Sequence, residues 1–183
     1  MYLSIIIPAY NEEKRIVKTL KEINSYLIKK DYEYEIIVVN DGSTDNTVLV
    51  VNDLKIPYLT IIDNKKSMGK GYVVRQGLLA GKGQYRLFTD ADNATPIEQL
   101  DKFLHLIGEF DIIIASRDVE GAEIAVKQPF HRRALAGLYK SLAKLITGLR
   151  FIKDSQCGFK LFTKKAVNEI MPKCNINGLS FDV

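Results

Sequence analysis

Asp90 and Asp92 stand two residues apart, directly after the apolar segment Tyr85–Thr89. In an extended chain, residues i and i+2 point to the same side, so one cation could contact both carboxylates. Hard divalent ions such as Mg²⁺ or Mn²⁺ take oxygen ligands and commonly join a few carboxylates to substrate phosphates. The alternative is a turn with two solvated aspartates. The position of the pair at the end of a buried strand favours a metal site.

A third carboxylate, Asp41, follows the apolar run Glu35–Val39 within the turn sequence Asn40-Asp41-Gly42-Ser43. We expect Asp41 to be free to accept hydrogen bonds from the ring N–H or hydroxyl groups of a ligand. Asp45, by contrast, is assigned to the first turn of the helix that follows.

Three cationic side chains are candidates for contact with phosphate. Lys70 lies between Gly69 and Gly71, with Arg75 one turn later, so a cation and backbone N–H groups could meet an anion there. A surface lysine between two turn glycines explains the pattern equally well. Arg117 follows the apolar run Asp111–Ala115, at the same predicted sheet edge as the aspartate pair.

The segment 125–150 is basic. It contains six Lys or Arg residues and no Asp or Glu, which gives +6, so the rest of the chain carries −2 of the net charge of +4. Its apolar residues recur at helical spacing, which is typical of an ordinary core-facing helix with a basic side. The alternative is a surface, including Arg132 and Arg133, that meets anionic lipid head groups or a lipid phosphate.

The elements that must position these side chains alternate between strand and helix patterns. Apolar runs predict strands at 3–9, 35–39, 58–63, 85–89, 111–115 and 158–162. Helical patterns, the first capped by Asn11, lie between them at 12–27, 44–54, 70–80, 97–107, 129–146 and 164–171. The order indicates βαβ units: one α/β domain over residues 1–183, Rossmann-like, with a mostly parallel sheet and helices on both faces. Ligands bind such sheets beyond the carboxyl ends of the strands, where the polar candidates cluster.

Several classes of protein are excluded or disfavoured. Neither a Walker-type glycine-rich motif with lysine nor a G-x-G-x-x-G after the first strand is present. Two cysteines cannot make a disulfide framework, and neither has an obvious histidine partner for nucleophilic catalysis. A net charge of +4 is mild, and aromatic residues do not interleave with the basic segment, so we expect no nucleic-acid partner. The N-terminus has no signal-peptide pattern, so we expect a cytoplasmic protein, with peripheral membrane contact left open.

Together these segments resemble the GT-A-fold glycosyltransferases of family 2. The stretches that carry the resemblance are Ile5-Ile6-Ile7-Pro8-Ala9-Tyr10-Asn11-Glu12, Val38-Val39-Asn40-Asp41-Gly42-Ser43-Thr44-Asp45, Gly69-Lys70-Gly71 and Asp90-Ala91-Asp92. Within the family, Asp92-Asn93-Ala94-Thr95 and the stretch from Asp154 to Phe162 are similar to the dolichyl-phosphate hexose synthases. They are closer to the β-glucosyltransferase branch than to the mannose branch.

The resemblance implies site residues with separate roles. It implies a nucleotide-binding set of Pro8, Ala9, Tyr10, Glu12, Asp41, Gly69, Lys70, Asp90 and Ala91. It implies that Asp90 and Asp92 hold Mg²⁺ or Mn²⁺ on the donor diphosphate. Arg117, Arg132 and Arg133 would face phosphate, the last two on the acceptor, and Asp154 and Gln156 would lie near the transferred sugar or acceptor.

Two departures from the family pattern limit the resemblance. Some mannose-transferring relatives carry a metal-ligating Gln where this chain has Ala94, which puts a third ligand in doubt. Relatives continue beyond the motif that ends here at Phe181-Asp182-Val183, so we expect a catalytic domain truncated at its C-terminus.

The function implied is inverting transfer of a hexose from a nucleotide sugar, UDP-glucose, to a polyprenyl or dolichyl phosphate at the cytoplasmic face of a membrane. One alternative is a family 2 transferase that uses GDP-mannose or a non-lipid acceptor. The other is an inactive module that binds a nucleotide sugar.

Overall fold

The computed structural model describes residues 1–116 and 157–178. The strands are β1 (Leu3–Ala9), β2 (Tyr34–Asp41), β3 (Leu59–Asn64), β4 (Tyr85–Thr89), β5 (Ile112–Ile114) and β6 (Phe159–Thr163). The α-helices are α1 (Ile16–Leu27), α2 (Thr47–Asp53), α3 (Lys70–Ala80), α4 (Leu100–Leu104) and α5 (Lys164–Ile170). Short 3₁₀ turns, Ile97–Gln99 and Met171–Lys173, precede α4 and follow α5.

The strands form one six-stranded sheet in the order β3-β2-β1-β4-β6-β5. Strands β3, β2, β1 and β4 pair in parallel, while β6 runs antiparallel to both of its neighbours, β4 and β5. The predicted, mostly parallel sheet is therefore confirmed. Because β6 runs in the opposite direction, its first residue, Phe159, lies opposite Thr89 at the carboxyl end of β4.

Helices cover both faces of this sheet, as predicted. On one face, α1 buries the stripe Ile16, Leu20, Ile23 and Leu27 against the odd-numbered residues of β1. On the other face, α3 and α5 pack with Ile6, Val39 and Phe88. The seven residues of β1 are all buried because the strand is covered from both sides. This explains its continuous apolar sequence.

The start of α1 differs from the prediction. Asn11 does not cap the helix, which begins at Ile16 after Arg15. Asn11 instead adopts a left-handed conformation with φ of 54°, and its side-chain oxygen accepts a hydrogen bond from the Thr44 N–H at 2.8 Å. A capping side chain must bond to the helix that follows, but the Asn11 side chain bonds to the loop at Thr44, which is distant in sequence.

Two other predicted helices are shorter than expected. The helix predicted at 44–54 begins only at Thr47, and the one predicted at 97–107 is a 3₁₀ turn followed by α4, which ends at Leu104. The helix predicted at 129–146 lies outside the described residues. Within the ranges 1–116 and 157–178, no helix has the length and apolar character needed to cross a membrane.

Gly77 brings α3 close to the sheet. A Cβ at this position would lie 2.5 Å from Ile6 Cγ2 and 2.8 Å from Val39 Cγ2, inside van der Waals contact. Both neighbours are β-branched residues with restricted χ1, so neither methyl can move aside freely. The lack of a side chain at Gly77 therefore sets the distance between α3 and strands β1 and β2.

We expect Gly77→Val to destabilise the fold by about 1–3 kcal/mol, because overpacking this contact outweighs the small gain in helix propensity. Urea unfolding followed by circular dichroism measures the change. Gly178→Val is the matched control, since a Cβ at Gly178 meets nothing within 4 Å. Equal stability of the two variants would show that α3 does not depend on close approach at Gly77.

Candidate active site

The predicted site residues of the described ranges gather at one edge of the sheet. Pro8 and Ala9 end β1, Asp41 ends β2, and Asp90 follows β4. Ala9 lies beside Asn40 in the parallel register of β1 and β2, so these strand ends are neighbours. The expectation that candidate residues cluster at the carboxyl ends of parallel strands is confirmed for this set. Tyr10, the next residue after β1, is half exposed at 51%.

Asp41 is not free, which corrects the prediction. Its carboxylate is buried, with 6% of the residue exposed, and it accepts hydrogen bonds from the loop before α3. The donors are Ser67 Oγ at 2.8 Å, the Met68 N–H at 2.6 Å and the Gly69 N–H at 3.1 Å. Asp41 therefore positions the loop that leads into Lys70. These donors lie 26–28 residues from Asp41 in the sequence, so local patterns could not reveal them.

Lys70 forms an ion pair with the first carboxylate of the predicted metal site. Its Nζ lies 2.7 Å from Asp90 Oδ1, and about a third of each side chain is exposed (32% and 31%). The same ammonium lies 5.5 Å from the centroid of the Phe88 ring. The lysine predicted to face a phosphate thus neutralises Asp90 in this structure.

Gly158 forms the other side of the Asp90 position. The Asp90 N–H donates to the Gly158 carbonyl at 3.1 Å, and a Cβ at Gly158 would overlap the Asp90 carboxylate at Oδ2. A side chain at position 158 would fit only if the Asp90 carboxylate moved. This contact explains the glycine in the Cys157-Gly158-Phe159 stretch and connects it with the aspartate pair.

The turn that carries Asp92 is held against α1 by two hydrogen bonds. The Ala91 carbonyl accepts a buried hydrogen bond from Thr19 Oγ1 at 2.7 Å, and Asn93 donates through Nδ2 to Glu22 Oε2 at 2.6 Å. Asn93 adopts a left-handed backbone with φ of 51°. Asp92 is exposed, and its carboxylate accepts a hydrogen bond from the Ala94 N–H at 3.1 Å. The second carboxylate of the pair is therefore accessible to a ligand.

Glu12, which the resemblance assigns to nucleotide binding, pairs with a residue that sequence reasoning missed. Arg15 donates two hydrogen bonds to its carboxylate, at 2.7 and 2.6 Å. The Glu12 hydrogen bond raises the pKa of Arg15, and the charge of Asp92 acts in the same direction. Arg15 is thus a further cation near the aspartate pair. The spacing of three residues between Glu12 and Arg15 could have indicated this ion pair from the sequence.

The N-terminus of α3 is covered by the segment Cys174–Asn177. The Gly71 N–H donates to the Asn177 carbonyl at 2.8 Å. Arg75 donates to the Cys174 carbonyl at 2.7 Å and to Asn177 Oδ1 at 2.9 Å. Arg75, predicted to approach a phosphate, instead holds this segment in place, a contact between residues about a hundred positions apart.

Asp45 was predicted in the first turn of a helix, but it lies just before α2, which begins at Thr47 after the cap residue Asn46. Its Oδ1 accepts from the Thr47 N–H at 3.0 Å, and its Oδ2 accepts from the Glu13 N–H at 3.1 Å. Burial acts to raise the pKa of Asp45, but the hydrogen bonds from Thr47 and Glu13 outweigh it and hold the pKa below its ordinary value. The side chain therefore orders the start of α2 and joins it to the β1–α1 loop.

The remaining predicted site residues lie outside the described residues: Arg117, Arg132, Arg133, Asp154 and Gln156. Within 1–116 and 157–178, no group of three or more His, Cys, Asp or Glu residues could hold a metal ion. In those ranges, the carboxylates predicted to bind a cation at this edge are those of Asp90 and Asp92. Two carboxylates suit an octahedral divalent cation that completes its coordination with water and substrate phosphates.

The arrangement as a whole offers a cation site beside a cationic side chain. Asp90 and Asp92 provide carboxylate oxygens, Lys70 and Arg15 provide positive charge, and Tyr10 presents an exposed ring. Carboxylates suit a divalent cation, cationic side chains suit phosphate oxygens, and an exposed aromatic ring suits a planar ring.

Solved structures share this fold. A mycobacterial protein superposes with a TM-score of 0.71 over 99% of this chain and 58% of its own, at 20% identity. Glucosyl-3-phosphoglycerate synthase from Mycobacterium tuberculosis, solved with Mn²⁺, UDP-glucose and phosphoglyceric acid, gives 0.65 over 90% and 57%, at 20% identity. At these identities the likeness shows the fold, and the GT-A architecture is thereby confirmed.

Curated proteins are similar along the whole chain. A dolichyl-phosphate β-glucosyltransferase of Trichomonas vaginalis is 39% identical over 100% of this chain and 58% of its own length. The proteins of the same name from Saccharomyces cerevisiae and Homo sapiens are 36% and 33% identical, over 100% and 99% of this chain and 61% and 60% of theirs. The chain thus spans about three fifths of the length of these relatives.

The profile of one family covers nearly all of the chain. It matches residues 4–171, from the second residue of β1 to the first residue of the 3₁₀ turn after α5. The match includes every strand of the sheet and both aspartates at its edge. The chain belongs to glycosyl transferase family 2.

Proposed function

We propose that this chain is the catalytic domain of a hexosyltransferase that moves glucose from UDP-glucose to a polyprenyl phosphate such as dolichyl phosphate. The observation that carries the proposal is the Asp90–Asp92 pair, beside Lys70, at the binding edge of a family 2 fold. Relatives named dolichyl-phosphate β-glucosyltransferase support the choice of sugar and acceptor.

Asp90 and Asp92 would hold Mg²⁺ or Mn²⁺, and the exposure of Asp92 and the partial exposure of Asp90 fit that role. Two related structures were solved with Mn²⁺ and a nucleotide sugar, which supports a divalent metal here. When bound, such an ion supplies positive charge to the oxygens of a departing nucleoside diphosphate.

The nucleotide would lie over the ends of β1 and β2. The exposed Tyr10 ring offers a stacking surface for the base, flanked by Pro8, Ala9 and Glu12. Asp41 contributes chiefly through the backbone it fixes at Met68 and Gly69, since their N–H groups occupy its carboxylate. Lys70 is the described side chain best placed to reach the diphosphate, because it starts α3 beside Asp90.

The acceptor chemistry needs no strong general base. A phosphate acceptor is already anionic at neutral pH, so its oxygen can attack the anomeric carbon without giving up a proton to a side chain. In-line attack opposite the leaving diphosphate inverts the anomeric centre. Arg117 would neutralise charge on phosphate, Arg132 and Arg133 would bind the acceptor phosphate, and Asp154 and Gln156 would orient the sugar or acceptor.

The location of the acceptor would also determine where the enzyme acts. A polyprenyl phosphate is anchored in a bilayer by its hydrocarbon chain, so the domain must meet a membrane surface to reach its phosphate. Segment 125–150, with six basic residues and no acidic ones, suits contact with anionic head groups. We therefore place the domain at the cytoplasmic face of a membrane, attached peripherally.

The donor site is tested by calorimetric titration of UDP-glucose and GDP-mannose, each with and without Mn²⁺, on wild type and Asp92→Ala. We expect UDP-glucose to bind in the presence of Mn²⁺ and the affinity to fall at least about tenfold in the variant, because one of two carboxylate ligands is lost. Asp31→Ala, an exposed aspartate far from this edge, is the control and should bind as wild type does.

Preference for GDP-mannose would contradict the glucosyl assignment and move the protein to the mannose branch. Binding of UDP-glucose without any transfer to dolichyl phosphate in vesicles would support a binding module in place of an enzyme. Binding of neither nucleotide sugar would contradict the donor site itself.

Gly158→Ala is expected to weaken Mn²⁺ and UDP-glucose binding about tenfold or more, because the new methyl group displaces the Asp90 carboxylate. Titration of each ligand measures the effect. Gly178→Ala is the matched control, since its Cβ meets nothing within 4 Å. Wild-type affinity in Gly158→Ala would show that the Asp90 position does not matter for the donor.

The acceptor site is tested with Arg132→Ala plus Arg133→Ala. We expect the double variant to raise the KM for dolichyl phosphate about tenfold or more while the affinity for UDP-glucose stays unchanged, because only the acceptor phosphate loses its cations. Lys164→Ala plus Lys165→Ala, at the start of α5, is a control with the same change in charge. A KM that does not move would favour a non-lipid acceptor.

A further inference from the structure

We propose that Lys70 is an exchangeable counter-ion of Asp90, which a divalent metal displaces and which then pairs with the donor diphosphate. The inference rests on the proposed function, since it needs the metal and donor sites placed at this edge. Lys70 would couple the affinities for metal and nucleotide. It would oppose metal binding when the nucleotide is absent and favour nucleotide binding once the metal is in place.

Lys70 and Asp90 are in direct contact. Lys70 Nζ lies 2.7 Å from Asp90 Oδ1, while the other oxygen, Oδ2, lies against the Cα of Gly158. Gly158 therefore blocks one side of the carboxylate, and the ammonium occupies the oxygen on the other side. A divalent cation bound through Oδ1 would take the position of the ammonium or lie within a few ångströms of it. Two cations at that distance repel each other strongly when water is partly excluded.

The backbone around Lys70 is held by hydrogen bonds, whereas its side chain is partly exposed. Its backbone is held on both sides, because the Gly69 N–H donates to Asp41 and the Gly71 N–H donates to the Asn177 carbonyl. Gly69 has φ of 95°, and a Cβ there would overlap the Asn177 carbonyl oxygen, so this turn is tightly packed. A displaced ammonium can swing on its four-carbon stem but remains at the same edge of the sheet.

The new partner of the displaced ammonium would be the donor diphosphate. About a third of the Lys70 side chain is exposed, and Asp92, two residues after Asp90, is exposed as well. A diphosphate chelated by a metal on the aspartates would bring anionic oxygens within reach of that ammonium. When metal and nucleotide bind together, the lysine exchanges one anion for another, so the exchange is more favourable than with the metal alone.

The exchange predicts opposite effects on two affinities. In Lys70→Met, Mn²⁺ alone should bind roughly 1.5- to 5-fold more tightly than in wild type, the range expected for removing a partly exposed ion pair. At saturating Mn²⁺, UDP should bind about tenfold more weakly because its lysine partner is missing. Mn²⁺ and UDP should therefore increase each other's affinity less than they do in wild type. The reduction should be the same whether it is measured on Mn²⁺ binding or on UDP binding.

Mn²⁺ affinity is measured by electron paramagnetic resonance of the free ion, and UDP affinity by calorimetry, on wild type, Lys70→Met and Lys82→Met. Lys82 is an exposed lysine just before β4, at the opposite end of that strand, so its variant makes the same change in charge away from the site. It should leave both affinities unchanged. Circular dichroism and urea unfolding of each variant establish that it is folded.

The outcomes separate this inference from the function it rests on. Weaker or unchanged Mn²⁺ binding in Lys70→Met overturns the exchange, because a lysine that merely holds Asp90 in place would help the metal to bind. If Asp92→Ala nevertheless abolishes Mn²⁺ binding in that case, the proposed donor site stands. Failure of wild type to bind Mn²⁺ through Asp90 and Asp92 would overturn both.

Discussion

The antiparallel insertion of β6 between β4 and β5 is the constraint on which the acidic edge depends. It brings the Gly158 carbonyl to the Asp90 N–H and the Gly158 Cα against the Asp90 carboxylate. A parallel strand at this place would present its opposite end to β4, and the carboxylate would lose its support. One reversal of chain direction thus joins a segment near residue 158 to the aspartate pair that follows β4.

A second set of contacts forms the cationic side of the edge. Asp41 holds the loop before α3, and the segment Cys174–Asn177 covers the start of that helix, so Lys70 projects from a turn fixed on both sides. Preorganisation of this kind is what charge stabilisation in phosphate chemistry requires, because groups already in position need not reorganise when charge develops. In the proposed exchange, the hydrogen-bonded turn would position Lys70 while its side chain changes partner.

Much of the fold could be predicted from periodicity. Continuous apolar runs indicated β1, β2 and β4, and the stripe at Ile16, Leu20, Ile23 and Leu27 indicated the buried face of α1. Burial on both faces of a central strand leaves no polar alternation, so such strands are easy to find. Helix starts were harder to predict. Asn11 has the residue type of a cap but bonds to Thr44, a choice made by tertiary contact.

The sequence by itself determined the α/β class, the mostly parallel sheet and the gathering of Tyr10, Asp41 and the aspartate pair at one edge. These follow from local patterns and from the rule that places ligands beyond strand ends. Only the tertiary structure decided what each side chain touches: Asp41 the loop at Met68, Lys70 the carboxylate of Asp90, and Arg75 the carbonyl of Cys174. Such pairs join residues 20 to about a hundred positions apart, and no local pattern records which distant partner a charged group meets on folding.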